Sequence, residues 1–172
     1  KKATVFVIDI QVLPKSIFAI HNLSKKVKLS FIDIRDRKKI LQFFKRNDID
    51  YVFNFAGESI VSECFKDPYK TFETNIMGTV NILEAIRLSK KVKGIILAST
   101  DKAYGKSSKA YTEDFPLKGD HPYDVSKSSA DLISYTYFKS YGLPIIVTRF
   151  GNVYGEGDLH FNTLIPGICE AI

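Results

Sequence analysis

The chain has 172 residues and a formal net charge of +6, with an ordinary hydrophobic share of 45%. That composition suits a globular domain with a packed core, and no apolar run is long enough to span a membrane. The basic excess is scattered in short pairs such as Lys25-Lys26 and Lys38-Lys39 without interleaved aromatics, which reads as a solvated surface and not as a nucleic-acid groove.

Five strand-length apolar runs follow in chain order: residues 3–9 (ATVFVID), 27–34 (VKLSFIDI), 50–57 (DYVFNFAG), 92–100 (VKGIILAST) and 143–150 (LPIIVTRF). Their nearly continuous hydrophobicity predicts strands buried on both faces. Helical patterns lie between them. Residues 36–47 place Ile40, Leu41, Phe43 and Phe44 together, with Asp36 available as N-cap. Residues 67–90 form a long pattern opened by Asp67 and Pro68. Residues 123–142 form another, stopped by Gly142. The alternation predicts an α/β fold with a parallel, doubly wound sheet. Cys64 and Cys169 lack metal-ligand spacing and read as free thiols of a reducing compartment, the cytoplasm; no signal-peptide pattern opens the chain, and no metal site is expected.

A dinucleotide-binding domain places a glycine-rich loop after its first strand, yet no glycine here precedes Gly57. Gly151, Gly155 and Gly157 match neither the dinucleotide fingerprint nor a Walker loop.

Tyr-x-x-x-Lys occurs twice, as Tyr123/Lys127 and Tyr135/Lys139. Tyr123 sits at the N-terminal mouth of its helix, toward the carboxyl ends of the strands where ligands bind. Tyr135 lies three turns deeper and is expected to pack or to meet solvent. The fourth strand ends in Ser99, Thr100, Asp101 and Lys102, which converge on the same edge. A hydroxyl, a carboxylate, an ammonium and a Tyr-Lys pair suit proton transfers at an alcohol or sugar, with Lys127 expected to lower the phenol's pKa. The alternative reading of 99–102 is an ordinary turn capped by Asp101.

The segments STDKAYG, HPYDVSK and RFGNVYGEGDLHFNTLIP resemble the extended short-chain dehydrogenase/reductase family, and within it the NAD-dependent nucleotide-sugar 4,6-dehydratases, those acting on CDP-glucose above all. FIDIRD, NFAGES and the stretch from Asp67 to Arg87 agree in order. The resemblance implies a Rossmann-type sheet that starts at the family's second strand, without the first strand and its glycine-rich loop. Residues 1–154 would form the partial NAD-binding and catalytic domain, and 155–172 the start of the smaller substrate region.

Carried over by position, Asp9 would hold the adenosine ribose and favour NAD over NADP, though a strand-end turn is the competing reading. Asp33 and Ile34 would lie beside adenine, and Phe55, Ala56 and Gly57 would run past the cofactor. Tyr123 and Lys127 would serve both cofactor and chemistry. Glu58, Ser59, Asn152 and Leu164, Ile165 and Pro166 would approach the nucleotide-sugar, unless the last four are an ordinary strand-to-helix loop.

The implied mechanism has Tyr123 take the 4-hydroxyl proton while Thr100 bonds that oxygen. Asp101 protonates the leaving water at C6, and Lys102 stands where these enzymes carry the C5 base. As that base Lys102 would have to be neutral for part of the cycle, which burial in a closed site and nearby positive charge would favour; the competing reading is that it stays charged and supports the enolate. The alternatives are a 4-epimerase, or a non-catalytic family remnant that binds a nucleotide or partner. Helices 67–90 and 123–141 resemble the pair through which the family forms dimers by a four-helix bundle, so the resemblance also implies a homodimer.

Overall fold

All five apolar runs become strands: β1 Phe6–Asp9, β2 Lys28–Phe31, β3 Tyr51–Asn54, β4 Gly94–Thr100 and β5 Ile145–Phe150. The computed structural model describes residues 3–158, 161 and 163–171. Its α-helices are α1 Ile17–Ile20, α2 Arg37–Arg46, α3 Val61–Lys66, α4 Pro68–Phe72, α5 Thr79–Ser89, α6 Pro122–Tyr141 and α7 Leu164–Ala171. Every strand pair is parallel, as strands separated by helical crossovers must be.

The chain divides into two compact units. The first, residues 1–31 with 152–172, holds the β1–β2 ladder with Phe6 opposite Lys28 and Asp9 opposite Phe31. Here Gly157 (φ +78°) lies so close to Ile17 that an added Cβ would fall 2.0 Å from Ile17 Cγ1.

The second unit, residues 32–151, is a three-stranded sheet in the order β3-β4-β5. Helix α6 packs on β4 and β5, and α2 packs on α5. The core is built from Ile40, Phe43 and Phe44 of α2, Ile82, Leu83 and Ile86 of α5, and Ile95 and Leu97 of β4. Burial on both faces, expected from the apolar runs, does not hold for β3 and β5. Phe53 (62% exposed) and Ile146 (61%) share a face through their register with Ile96, and among the described residues no helix packs over it.

Local chemistry explains the helix ends. Asp36 accepts from the Lys39 amide at 3.0 Å and caps α2. Asp67 accepts from the Lys70 amide at 2.9 Å and caps α4, with Pro68 in the first turn. Gly142 closes α6 at φ +67°. The pattern at 67–90 is helical throughout but not uniformly α: a π turn, Glu73–Gly78, joins α4 to α5. Gly78 lets that turn press on Ile34, because a Cβ there would sit 2.5 Å from Ile34 Cδ1. Residues 101–104 form a 3₁₀ turn whose cap is Thr100, accepting from the Lys102 amide at 3.3 Å, and not Asp101.

Two substitutions separate backbone strain from crowding. Gly142→Ala meets open space and should cost about 1 kcal/mol, the penalty of a left-handed residue. Gly105→Ala (φ +73°) would also drive a Cβ to 2.2 Å from the Lys118 carbonyl, and should cost on the order of 3 kcal/mol or more in urea unfolding. Equal costs would contradict this packing.

Tyr137 on α6 donates to Glu84 of α5 at 2.9 Å. Burial, aided by that carboxylate, pushes its phenol from 10.0 up to about 12. A raised phenol pKa stabilises the fold fully below the unfolded value and loses that contribution as pH rises through the folded one. Stability should therefore fall between about pH 10 and 12 less steeply in Tyr137→Phe than in the parent, as read by denaturant midpoints across that range.

Candidate active site

The carboxyl ends of β3, β4 and β5 carry the sequence's candidate residues of the second unit. Thr100 ends β4, Asp101 begins the turn after it, and the 55–60 loop leaves β3. Helix α6 brings its first turns to the same edge. Its second, third and fourth turns pack closely because Ser126, Ala130 and Ser134 are small and buried.

Lys127 anchors this arrangement. Its Nζ donates to the Ala98 carbonyl of β4 at 3.0 Å, and burial holds its ammonium below the usual lysine range. Tyr123, one turn earlier, is half-buried. Burial raises its phenol above the usual tyrosine value, and the hydrogen-bonded Thr100 hydroxyl pulls partly back. The expected lowering by Lys127 is therefore overturned: desolvation acts on both groups, and each is pushed toward its neutral form. Thr100 in turn donates to Asp101 Oδ1 at 3.1 Å, which ties hydroxyl and carboxylate together at the strand end.

Lys102 does not share that burial. Its side chain is 45% exposed, with Nζ 4.0 Å from Asp101, because the 3₁₀ turn directs it outward toward Asp124 and solvent. The second Tyr-Lys pair is surface: Tyr135 is exposed, with Lys139 Nζ 5.6 Å from its ring centre.

Asn75 was not singled out in the sequence, yet it joins the site's parts. It accepts from the Glu58 amide at 2.7 Å and donates to the Glu58 carbonyl and to Ser126 Oγ, both at 2.9 Å. Ser126 donates onward to the Tyr123 carbonyl at 2.7 Å. Asn75 lies in the π turn and is buried; such turns re-aim a side chain out of helical register. The only hint in the sequence is Gly78 three residues on, marking a helix that something must approach closely.

Gly57 is held at this junction. A Cβ there would meet Asn75 Oδ1 at 2.7 Å and come within 3.7 Å of Lys127 Nζ. Phe55, Ala56 and Ser59 are exposed along the same loop. The Glu58 carboxylate is bound by Lys70 at 2.8 Å. Cys64 is buried nearby, and burial raises its thiol, so it stands neutral beside Lys127. Ile34 is buried, and Asp33 is gripped by Arg35, whose hydrogen bonds hold the carboxyl below its usual range.

Asp9, Asn152, Leu164, Ile165 and Pro166 belong to the first unit. Asp9 ends β1 and accepts from the Ile10 amide at 2.7 Å, which is the strand-end turn. It also lines a cleft of about 290 Å³ with Val7, Gln11, Leu13 and Ser16. Asn152, Leu164 and Ile165 are exposed, and Pro166 is buried in α7, so the LIP segment is helix and not loop. Among the described residues no acidic, histidine and cysteine cluster could hold a metal, no helix is long and apolar enough to cross a membrane, and both cysteines are free.

Residues 10–170 match the family described as GDP-mannose 4,6 dehydratase. The chain is similar to CDP-glucose 4,6-dehydratase of Salmonella typhimurium, 29% identical over 96% of this chain and 49% of the relative. It is also similar to UDP-glucose 4-epimerase of Mycoplasma genitalium, 32% identical over 87% of this chain and 47% of that protein. Among solved structures, a double mutant of the dTDP-glucose 4,6-dehydratase of Streptomyces venezuelae, with NAD bound, superposes with TM-score 0.84 at 27% identity, covering 97% of this chain and 52% of its own. The chain thus spans about half the length of the curated relatives it matches.

Replacing Asn75 by Leu leaves the Glu58 amide and carbonyl without their Asn75 partner. Leaving buried polar groups unsatisfied costs about 1–3 kcal/mol each. Asn75→Leu should therefore lower unfolding stability by roughly that much or more, whereas Ser59→Ala on the exposed loop should change it by less than about 0.5 kcal/mol. Parity between the two in chemical denaturation would remove Asn75 from its bridging role.

Proposed function

The chain belongs to the GDP-mannose 4,6 dehydratase family, within the extended NAD-dependent epimerases and dehydratases, and from that premise we propose that it acts as a nucleotide-sugar 4,6-dehydratase, with CDP-glucose as substrate. The observation that carries the reading is the gathering of Tyr123, Thr100 and Asp101 at one strand end beside the buried Lys127, with Thr100 donating to Asp101.

The residues fit NAD. An ammonium has three donors, and Ala98 takes one of those of Lys127, which leaves capacity for a ribose hydroxyl. Gly57 offers a backbone surface with no side chain just beside that ammonium. Asp33, Ile34, Phe55, Ala56, Gly57, Tyr123 and Lys127 would hold the cofactor within the second unit. When bound, NAD supplies the hydride acceptor and donor.

The chain's own groups handle protons. Tyr123, in its deprotonated form, would receive the proton of the sugar 4-hydroxyl, with Thr100 beside the same oxygen. Asp101, in its protonated form, would give a proton to the hydroxyl leaving C6. Lys102, one residue on and exposed, would take the C5 proton in its unprotonated form, so that the proton lost at C5 matches the one gained by the leaving water. Ser59 would contact the nucleotide-sugar from the second unit. A homodimer is supported by the exposed apolar row Leu132, Tyr135, Phe138 and Tyr141 along α6 and by Leu88 on α5.

Full-length protein incubated with NAD and CDP-, UDP-, GDP- and dTDP-sugars should convert CDP-glucose to a 4-keto-6-deoxy product. Formation of the C4 epimer in its place would assign a 4-epimerase. Tyr123→Phe should lower turnover by about a hundred-fold or more, while Tyr135→Phe stays near the parent. Similar losses in both variants would exclude the assigned pair.

A further inference from the structure

The candidate tyrosine is placed by a residue outside every role described above. His121 is the N-cap of α6, and its Nδ1 accepts from the Tyr123 amide at 3.2 Å. N-caps are most often Ser, Thr, Asp or Asn, whose oxygens accept over the whole physiological range. An imidazole nitrogen accepts only while it is unprotonated, so here the neutral ring must carry its proton on Nε2. The ring is held in place by Phe65 of α3, stacked at 5.8 Å between centroids with 25° between planes. Pro122 follows at the first helical position and has no amide, so Tyr123 offers the next backbone donor of the turn.

We propose that His121 is a positioning residue whose neutral imidazole fixes the first turn of α6, and with it Tyr123, and whose protonation releases that turn. Two effects act together when the ring gains a proton. The Tyr123 amide loses its acceptor, and a positive charge then faces the positive end of the helix dipole. Charged groups surround the ring from more than one element. Asp120 and Asp124 lie on its own segment, and Lys102 and Lys106 reach Asp124 from the turn and loop after β4. From α3 the ring meets Phe65, while Glu63 and Lys66 of that helix pair with each other at 2.8 Å. The cap is thus present at higher pH and lost as pH falls.

The consequence for turnover rests on the activity proposed above, but the cap itself can be read without it. The chain labelled with ¹⁵N-tyrosine is titrated between about pH 5 and 8, the range in which histidines change charge. The Tyr123 peak is identified by its absence in Tyr123→Phe. In the parent its amide proton should move upfield on acidification, with the midpoint of the His121 ring's own resonance. In His121→Asn, which retains an acceptor at every pH, that transition should vanish. A Tyr123 amide that ignores the ring's titration, or an identical transition in His121→Asn, overturns the proposal. In the full-length protein the acid-side fall in kcat should be roughly three- to tenfold smaller in His121→Asn than in the parent. An unchanged acid fall would refute the link to Tyr123. Failure of every sugar nucleotide to react would instead sink the proposed activity, with the cap still decided by the amide shift.

Discussion

A lysine ammonium buried against a strand carbonyl determines where the rest of the carboxyl edge can stand. Removing a charge from water is costly, so Lys127 Nζ must reach Ala98 and α6 must approach β4 closely enough to let it. The sequence of α6 permits this through small residues. Ser126, Ser128, Ala130 and Ser134 are buried among the elements packed around α6, and their hydroxyls return to backbone carbonyls such as those of Tyr123, Asp124 and Ala130. A helix with Leu or Phe at those positions would stand farther off, and the ammonium would lose its partner.

The same proximity sets the site's electrostatics. The phenol of Tyr123 and the ammonium of Lys127 are both driven toward neutrality by desolvation. Such a pair is at rest until a ligand brings charge or hydrogen bonds to it. Asn75 keeps the opposing loop at a fixed distance, because its amide spends both ends on neighbours and has little freedom to rotate. The π turn and Gly78 are the backbone conditions for that: one re-aims Asn75, and the other lets the helix settle on Ile34.

A second polar centre steadies the segment between the β4 turn and α6. Arg149 of β5 grips Asp131 of α6 through two nitrogens, at 2.7 and 3.1 Å, and donates to the Tyr104 hydroxyl and the Glu113 carbonyl, both at 2.8 Å. Tyr111 stacks on Tyr104 and donates to the Gly105 carbonyl, while Phe115 meets both rings edge-on. A buried charge pair of this kind adds little net stability, but its directional bonds tie the loop before His121 to strand and helix.

The order of strands and helices, the parallel pairing and the caps at Asp36, Asp67 and Gly142 were legible in the sequence, because each depends on residues close together along the chain. The Tyr123/Lys127 pair could be told from Tyr135/Lys139 by helix position alone, since rotation over twelve residues is a local property. The burial of those side chains was not legible. Whether Lys127 lowers the phenol, or desolvation raises it, depends on how near α6 comes to β4. Whether Lys102 is enclosed depends on the direction of a 3₁₀ turn. The exposed face of β3 and β5 likewise looked like core, because apolar content does not reveal which elements will cover it. Asn75 and His121 gain their roles only from tertiary contact: one bonds a residue 17 positions earlier and another 51 later, and the other rests on a ring from α3. Sequence determined which groups were available at the edge, and tertiary packing decided their protonation and their partners, because desolvation and hydrogen bonding are set by neighbours that lie far away along the chain.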